Sequence, residues 1–207
     1  MAVLYLHDFT ASNATLVQSD APTTGTNNLT ATTGTARIQS NRGYRASDPS
    51  CVYTTNETFG TADYFVRATW RQLTAETSNT FRLVGRKASA NASYFVEYAL
   101  ATTDLRLYSR SGGTNTHIGS AYSWSPSLTT DYVVDLVMNG SSISVKLDGA
   151  TVIGPVTDTA NSSAGQSEFL ISSSGTNGSG KDWHIDNFTV DSSVSSSVTF
   201  RPFYVHG

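Results

Sequence analysis

The chain of 207 residues has few charged side chains, which make up 14% of it, whereas a globular domain carries about 25%. It contains only four glutamates and three lysines, against 29 serines and 29 threonines. Glu, Lys and Ala are depleted in β-strands, whereas Thr is favoured there. The shortage of charged helix formers therefore favours an all-β fold.

The sequence also lacks any concentrated charge. The net charge is −3, and neither a basic stripe nor a block of like charges is visible along the chain. This pattern argues against nucleic acid as a partner, because nucleic-acid-binding surfaces carry clustered Lys and Arg. Attachment to a membrane through a polybasic segment is equally unsupported.

Cysteine and long apolar runs are scarce as well. The single Cys51 cannot form an intrachain disulfide, and its strand-like surroundings predict a small buried residue. The N-terminus has no basic region and too short an apolar stretch for a signal peptide. No segment approaches an 18-residue apolar run. We therefore expect synthesis in a cytoplasm, without a secretion or membrane signal.

What the sequence does contain is alternation of apolar and polar residues. The clearest case runs from Tyr132 to Leu147, where Asn139-Gly140 predicts a tight hairpin turn with positive φ angles. Asp148-Gly149 predicts a second turn before residues 151–153, so three consecutive strands should form a meander. Residues 10–35 predict a long surface loop or a pair of weak edge strands. Other strands are expected at residues 1–10, 36–40, 50–55, 64–71, 81–86, 93–100, 104–110, 168–172 and 183–190.

About ten to thirteen short strands without intervening helices indicate a sandwich or barrel. We assign residues 1–190 to this domain and residues 191–207 to a Ser-rich spacer followed by an aromatic tail. Phe200, Phe203 and Tyr204 in the tail are candidate partner-binding residues. The alternative is that the tail forms the last strand of its own sandwich.

Three segments together resemble the concanavalin A-like lectin/glucanase superfamily, and more narrowly its laminin-G-like members. They are residues 132–137 (Tyr-Val-Val-Asp-Leu-Val), 143–149 (Ile-Ser-Val-Lys-Leu-Asp-Gly) and 183–190 (Trp-His-Ile-Asp-Asn-Phe-Thr-Val). The opening residues 6–10 (Leu-His-Asp-Phe-Thr) are similar to the start of such domains. The resemblance covers residues 1–191 and implies a two-sheet antiparallel jelly-roll sandwich with an extended C-terminal tail.

Ser/Thr-rich, stand-alone domains of this kind are similar to accessory virion proteins of tailed bacteriophages. That similarity implies a non-catalytic capsid decoration (cement) or fibre protein on the virion surface. Its partners would be other virion proteins such as the major capsid protein, and a homo-oligomer such as a trimer would fit a symmetric particle. The alternative is a lectin-like adhesion module that binds host glycans on a phage tail or a cell surface.

Catalytic patterns are missing. Glycosidases of the superfamily alternate two or three acids on one strand, because one carboxyl protonates the leaving oxygen while another attacks or activates water. Here Glu97 stands alone, and Asp131 and Asp135 share a face with four-residue spacing. The four histidines are scattered and predict neither a zinc site nor a Ser-His-Asp triad; they are His7, His117, His184 and His206. We therefore expect no enzymatic activity.

Two binding hypotheses remain. The resemblance implies a structural calcium between the opening segment and the closing strand, and Asp8 and Asp186 stand at the matching positions. The alternative is that Asp186-Asn187 caps a turn or hydrogen-bonds the opening strand; no other cofactor is expected. For glycans, Tyr122 and Trp124 in a loop-like run are candidate stacking residues, with Tyr44 and Trp70 as further ones, unless these aromatics belong to the core.

Overall fold

A computed structural model describes residues 2–74, 79–99, 101–172 and 183–192, except for the side chains of Ser47 and Asp48. This part of the chain contains fourteen strands and one short 3₁₀ helix, Val17–Ser19. The strands are β1 Val3–His7, β2 Thr30–Gln39, β3 Arg42–Thr54, β4 Tyr64–Gln72, β5 Thr80–Ser89, β6 Ala92–Ala99, β7 Asp104–Ser111, β8 Thr114–His117, β9 Tyr122–Ser123, β10 Asp131–Asn139, β11 Ser142–Leu147, β12 Ala150–Thr157, β13 Gln166–Ser172 and β14 Trp183–Asp191. The all-β prediction is confirmed.

The strands form two antiparallel layers. The first layer has the order β12-β11-β10-β4-β14-β1, and the second has the order β2-β3-β13-β5-β6-β7-β8, with β9 also paired to β7. The layers are joined where β3 meets β14, through the pairs Tyr44–His184 and Gly43–Ile185. At one edge of the first layer, β12 carries Pro155, which has no backbone N–H to donate.

The turns follow from local sequence. Asp148 and Gly149 both have positive φ angles (49° and 83°), as predicted for the turn between β11 and β12. In the preceding hairpin only Gly140 has a positive φ, 55°, because Asn139 is still paired in the strand, opposite Ser142. The predicted meander of β10, β11 and β12 is confirmed, with its first turn displaced by one residue.

The core lies between the layers and is built from the inward residues of each alternating strand. Trp70 of β4 stacks on Phe81 of β5 across the layers, with ring centroids 4.4 Å apart. Gly85 brings the layers close together, since a Cβ there would lie 2.3 Å from the Met138 Cε. Period-two alternation therefore determines which residues face the core, and the glycine at residue 85 lets the two layers approach closely.

The sequence underestimated the strands near the N-terminus. A strand was expected at residues 36–40, and a surface loop or a pair of weak edge strands at residues 10–35. In the structure β2 has ten residues and pairs along β3 with several register shifts. The loop before β2 contributes Val17 and Leu29 to the core. Ser/Thr-rich edge strands carry little hydrophobic alternation, which is why the pattern missed them.

The candidate residues of the C-terminal tail, Phe200, Phe203 and Tyr204, lie outside the described residues, so the role of the tail stays a prediction.

Within the ranges that the structure describes, no helix has the length and apolar character needed to span a membrane.

Candidate functional site

Side chains on the outward face of the second layer line up in rows across β5, β6, β7 and β8. We call this surface the arginine–aromatic face; its members are Arg82, Val84, Phe95, Glu97, Asp104, Arg106, Tyr108, Arg110 and His117. Alternation explains why they point outward, because their strand neighbours Phe81, Leu83, Val96, Leu105 and Leu107 are all fully buried in the core.

Strand register determines the rows. In one row, Glu97 lies between Arg82 and Arg106. In the next row, Phe95 pairs with Val84 on one side and with Tyr108 on the other, and Tyr108 pairs with His117. A line of apolar and aromatic groups therefore crosses four strands at right angles to them.

We call Phe95, Tyr108 and His117 the outer aromatic row. The Phe95 and Tyr108 rings stack with centroids 4.8 Å apart and planes 17° apart. The His117 ring lies 5.5 Å beyond Tyr108. Exposure increases along the row: Phe95 is buried, Tyr108 is half-buried and His117 is exposed. The row is thus an aromatic platform whose accessible part is Tyr108 with His117.

Charged groups border this platform. The guanidinium of Arg82 covers the Phe95 ring, 4.3 Å from its centroid, and its Nε donates to the Glu97 carboxylate at 3.0 Å. Arg106 donates to Asp104 at 2.8 Å. The Nε atoms of Arg106 and Arg110 are buried and have no hydrogen-bond partner among the described residues. The face therefore combines fixed hydrogen-bonding groups with an aromatic surface.

The residues suggested for calcium have other partners. The Thr10 hydroxyl donates to the Asp8 carboxylate at 3.2 Å, and the hydrogen bond from the Thr23 side chain lowers the pKa of Asp8. The Asp186 Oδ1 accepts from the Asn187 N–H at 2.7 Å, and Asp186 lies 4.0 Å from the Arg42 guanidinium. No group of three or more His, Cys, Asp or Glu side chains suited to a metal occurs in the described ranges. Asp186 lies within β14, paired with Thr69 of β4 at a bulge in the strand.

The residues suggested for sugar stacking separate into exposed and buried ones. Tyr122 is 36% exposed, whereas Trp124 is only 8% exposed and packs in the core. The Trp124 ring contacts Tyr132, Tyr98 and Trp183 at centroid distances between 5.0 and 6.1 Å. Trp124 is therefore a core residue with no free ring face. Tyr44 and Trp70 are also buried, so the core alternative applies to them as well.

The histidines have different environments. His7 is fully buried, and burial lowers its pKa. His184 is also buried and stacks on Tyr44, with ring centroids 5.6 Å apart. His117 belongs to the outer aromatic row, and His206 lies outside the described residues. The sequence did not single out this row, although alternation already placed Phe95 and Tyr108 on the face opposite core residues; no strand was expected at His117.

Comparisons with known proteins address the fold. No protein-family model matches the chain, and no curated protein matches it. Among solved structures, the carbohydrate-binding module CBM66 from Bacillus subtilis superposes with a TM-score of 0.64 at 15% identity, covering 79% of this chain and 94% of the module. The Caenorhabditis elegans galectin LEC-6 gives 0.51 at 15% identity, covering 73% and 96%.

A third structure comes from work on endo-acting O-glycanases of the human gut microbiota, with a TM-score of 0.63 at 9% identity, covering 92% of this chain and 99% of that one. The chain has a concanavalin A-like jelly-roll fold. The fold that the sequence resemblance implied is thereby confirmed, and at these identities the similarity extends to the fold alone.

Proposed function

We propose that this protein is a non-catalytic glycan-binding module and that the arginine–aromatic face binds the glycan. The outer aromatic row is the observation that carries the proposal. An aromatic ring offers a flat apolar surface to the C–H groups of a sugar, and flanking polar groups orient its hydroxyls. Tyr108 and His117 provide the accessible surface, while Glu97 and the arginines around it provide acceptors and donors.

The dimensions of the row favour a short oligosaccharide. It crosses three strands, β6, β7 and β8, which are separated by two steps of about 4.8 Å, and this gives a length of roughly 10 Å. The glycan would lie across the strands, with its rings on the aromatic row and its hydroxyls towards the charged groups on either side. This orientation would let one chain of sugars contact all three strands at once.

The fold comparisons support the same class of function. The structures reported above include one named as a carbohydrate-binding module and one named as a galectin. Their low identity transfers no individual residue. They do make glycan binding the function to test first on a surface that independently has aromatic and charged character.

The acidic side chains of the face favour binding over hydrolysis. Glycoside cleavage uses a protonated carboxylic acid beside a second carboxylate. Here Glu97 is ion-paired with Arg82 and Asp104 with Arg106. On the neighbouring strand, Glu168 is ion-paired with Lys87. Each of these carboxylates is therefore engaged by a basic side chain.

The experiment is a glycan microarray of bacterial, fungal, plant and mucin-type oligosaccharides, followed by calorimetric titration of the tightest binder. Tyr108→Ala is expected to weaken binding at least about tenfold, equivalent to about 1.4 kcal/mol. Phe65→Ala is the matched control, because Phe65 is an outward aromatic of the other layer that also lies beneath an arginine, Arg67, at 4.9 Å. No binding on the array, or equal losses in both variants, would refute the proposal.

The virion-surface interpretation stays a prediction. None of the comparisons bears on a capsid partner, on a trimer or on a location in a particle. A glycan-binding module on a phage tail would combine the two hypotheses. Copurification of the protein with particles, with and without residues 198–207, would test the aromatic tail separately from the arginine–aromatic face.

A further inference from the structure

A polar cavity lies where the two layers join, away from the arginine–aromatic face. It has a volume of about 230 Å³ and is lined by Gln39, Ser40, Arg42, Arg71, Leu73 and His184. We propose that this cavity is a second binding site, which takes one neutral sugar ring through its hydroxyl groups. The site uses residues of other strands and does not depend on the arginine–aromatic face.

Strand geometry brings the charged residues of the cavity together. Arg71 of β4 pairs with Asp131 of β10 and with His184 of β14. Arg42 is the first residue of β3, directly after the tight turn at Ser40 and Asn41, whose φ angles are 50° and 59°. Two guanidinium groups from separate strands therefore line one cavity.

The guanidinium groups are held in place by carboxylates. Arg71 donates two hydrogen bonds to Asp131, both 2.8 Å long, and Arg42 donates a third from Nη2, also at 2.8 Å. The same Nη2 lies 4.0 Å from Asp186. These ion pairs already restrict the side chains of Arg42 and Arg71, so the cavity wall is ordered before a ligand binds. Binding therefore costs less side-chain entropy.

One donor in this network is unused. The Nη1 of Arg42 is buried and has no hydrogen-bond partner among the described residues. A buried N–H without an acceptor destabilises the folded state, and the Arg42 side chain is only 14% exposed. A ligand oxygen in the adjacent cavity would satisfy this donor.

Charge and size select the class of ligand. Arg42 and Arg71 are balanced by Asp131 and Asp186, so neither an anion nor a cation meets an excess of opposite charge. Hydroxyl groups both donate and accept, which suits a wall of guanidinium, amide and hydroxyl groups, and Leu73 can contact the C–H groups of a ring. The cavity is smaller than the roughly 300–1,000 Å³ of pockets for drug-sized ligands, so it has room for one ring.

The test is a two-dimensional amide NMR titration of the full chain with glucose, galactose, mannose and fructose, and with glucuronate as the charged analogue. At least one neutral sugar is expected to shift the amides of Gln39, Ser40, Arg71 and Leu73, with a Kd on the order of millimolar, equivalent to about −4 kcal/mol. Tighter binding of glucuronate than of glucose, or shifts in none of these amides, would overturn the proposal.

Two variants act on the site in different ways. Arg42→Gln removes the unused donor and should weaken binding at least about tenfold. Ser40→Asn narrows the cavity and should also weaken binding, and Asn tolerates the positive φ at this position. Lys146→Gln, on β11 of the first layer, is the control and should bind like the wild type. Wild-type affinity in a cavity variant that folds would refute the assignment. The second variant provides the test if the first one is unstable.

The titration also separates the two binding sites. Shifts at Tyr108 and His117 report on the arginine–aromatic face, and shifts at Ser40 and Leu73 report on the cavity. Shifts by single sugars that are confined to the cavity would support the second site, and the proposed function of the face is refuted if the array oligosaccharides also leave Tyr108 and His117 unshifted. Binding confined to the face would do the reverse.

Discussion

Two groups of aromatic residues in this protein have similar spacing and opposite surroundings. The inner aromatic cluster joins the layers and consists of Trp70, Phe81, Tyr98, Trp124, Tyr132 and Trp183, with neighbouring ring centroids between 4.4 and 6.5 Å apart. The outer aromatic row has comparable spacing, but it lies on the outward face of one layer. Spacing alone therefore does not distinguish a core from a binding surface.

The difference lies in what covers the rings. Inner rings are covered by rings of the opposite layer, so their removal leaves a cavity in the core. In the outer row, the guanidinium of Arg82 covers one face of Phe95, and Tyr108 remains half-exposed. We therefore expect the inner cluster to determine stability and the outer row to determine binding.

The largest expected effect is on the inner cluster. Trp183 is fully buried and contacts four other aromatic rings. Trp183→Ala should lower the free energy of unfolding by about 3–5 kcal/mol, because it leaves a large cavity. Urea denaturation measures the loss. Tyr108→Ala is the comparison and should lose only about 0.5–1.5 kcal/mol; equal losses would remove the distinction between the two groups.

A smaller effect is expected within the outer row. Phe95 is only 2% exposed although it faces outward, so Phe95→Leu should cost about 1–2 kcal/mol through lost stacking and lost cation–π contact. A double-mutant cycle with Tyr108→Ala should give a coupling energy of about 0.5–1.5 kcal/mol. A coupling energy near zero would show that the two rings do not act as one platform.

The smallest expected effect concerns pH and His7. His7 Nδ1 accepts from the Phe9 N–H at 3.3 Å, which leaves Nε2 to donate to the Asp20 carbonyl at 3.2 Å. Burial lowers the pKa of His7 below its ordinary value of 6.5. Below pH 6.5 the unfolded state therefore binds more protons than the folded state, and the free energy of unfolding should decrease as the pH falls.

The decrease should not exceed about 1.4 kcal/mol per pH unit, and the contribution is fully present above pH 6.5. Urea denaturation between about pH 5 and 7.5 measures it, since the pKa values of ordinary carboxyl groups lie below this window. His7→Gln should flatten the dependence, and the exposed His117→Gln should leave it intact. Unchanged slopes in His7→Gln would assign the dependence to another group.

The sequence predicted the fold well because the decisive information is local. Alternation identifies a strand and its buried face without knowledge of its partner, as for Leu105 and Leu107 against Arg106 and Tyr108. The binding face required more. Tyr108 lies beside Phe95 only because β6 and β7 pair in one register, and such pairings between strands are not encoded in the periodicity of either strand.

Trp124 shows the opposite failure. Its neighbours Ser123, Ser125 and Pro126 resemble a loop, and the interpretation as an exposed stacking residue followed from them. In the structure β9 ends at Ser123, and the chain then directs Trp124 into the core beside Trp183. Burying the large ring of Trp124 contributes more free energy than its polar neighbours lose by lying close to the core. The polar composition of the segment therefore gives a wrong expectation for the exposure of the ring.

Pro155 on β12 and the paired short strands β8 and β9 on β7 have a consequence for assembly. A β-sheet is open to aggregation where a long outermost strand presents a free row of N–H and C=O groups. At the β12 edge of the first layer the outermost strand lacks a donor at Pro155. Beyond β7 in the second layer the final positions are divided between strands of four and two residues. Strand addition by a neighbouring chain is disfavoured at these two edges, so contacts with other copies or with a particle there would rely on side chains instead of a continued sheet.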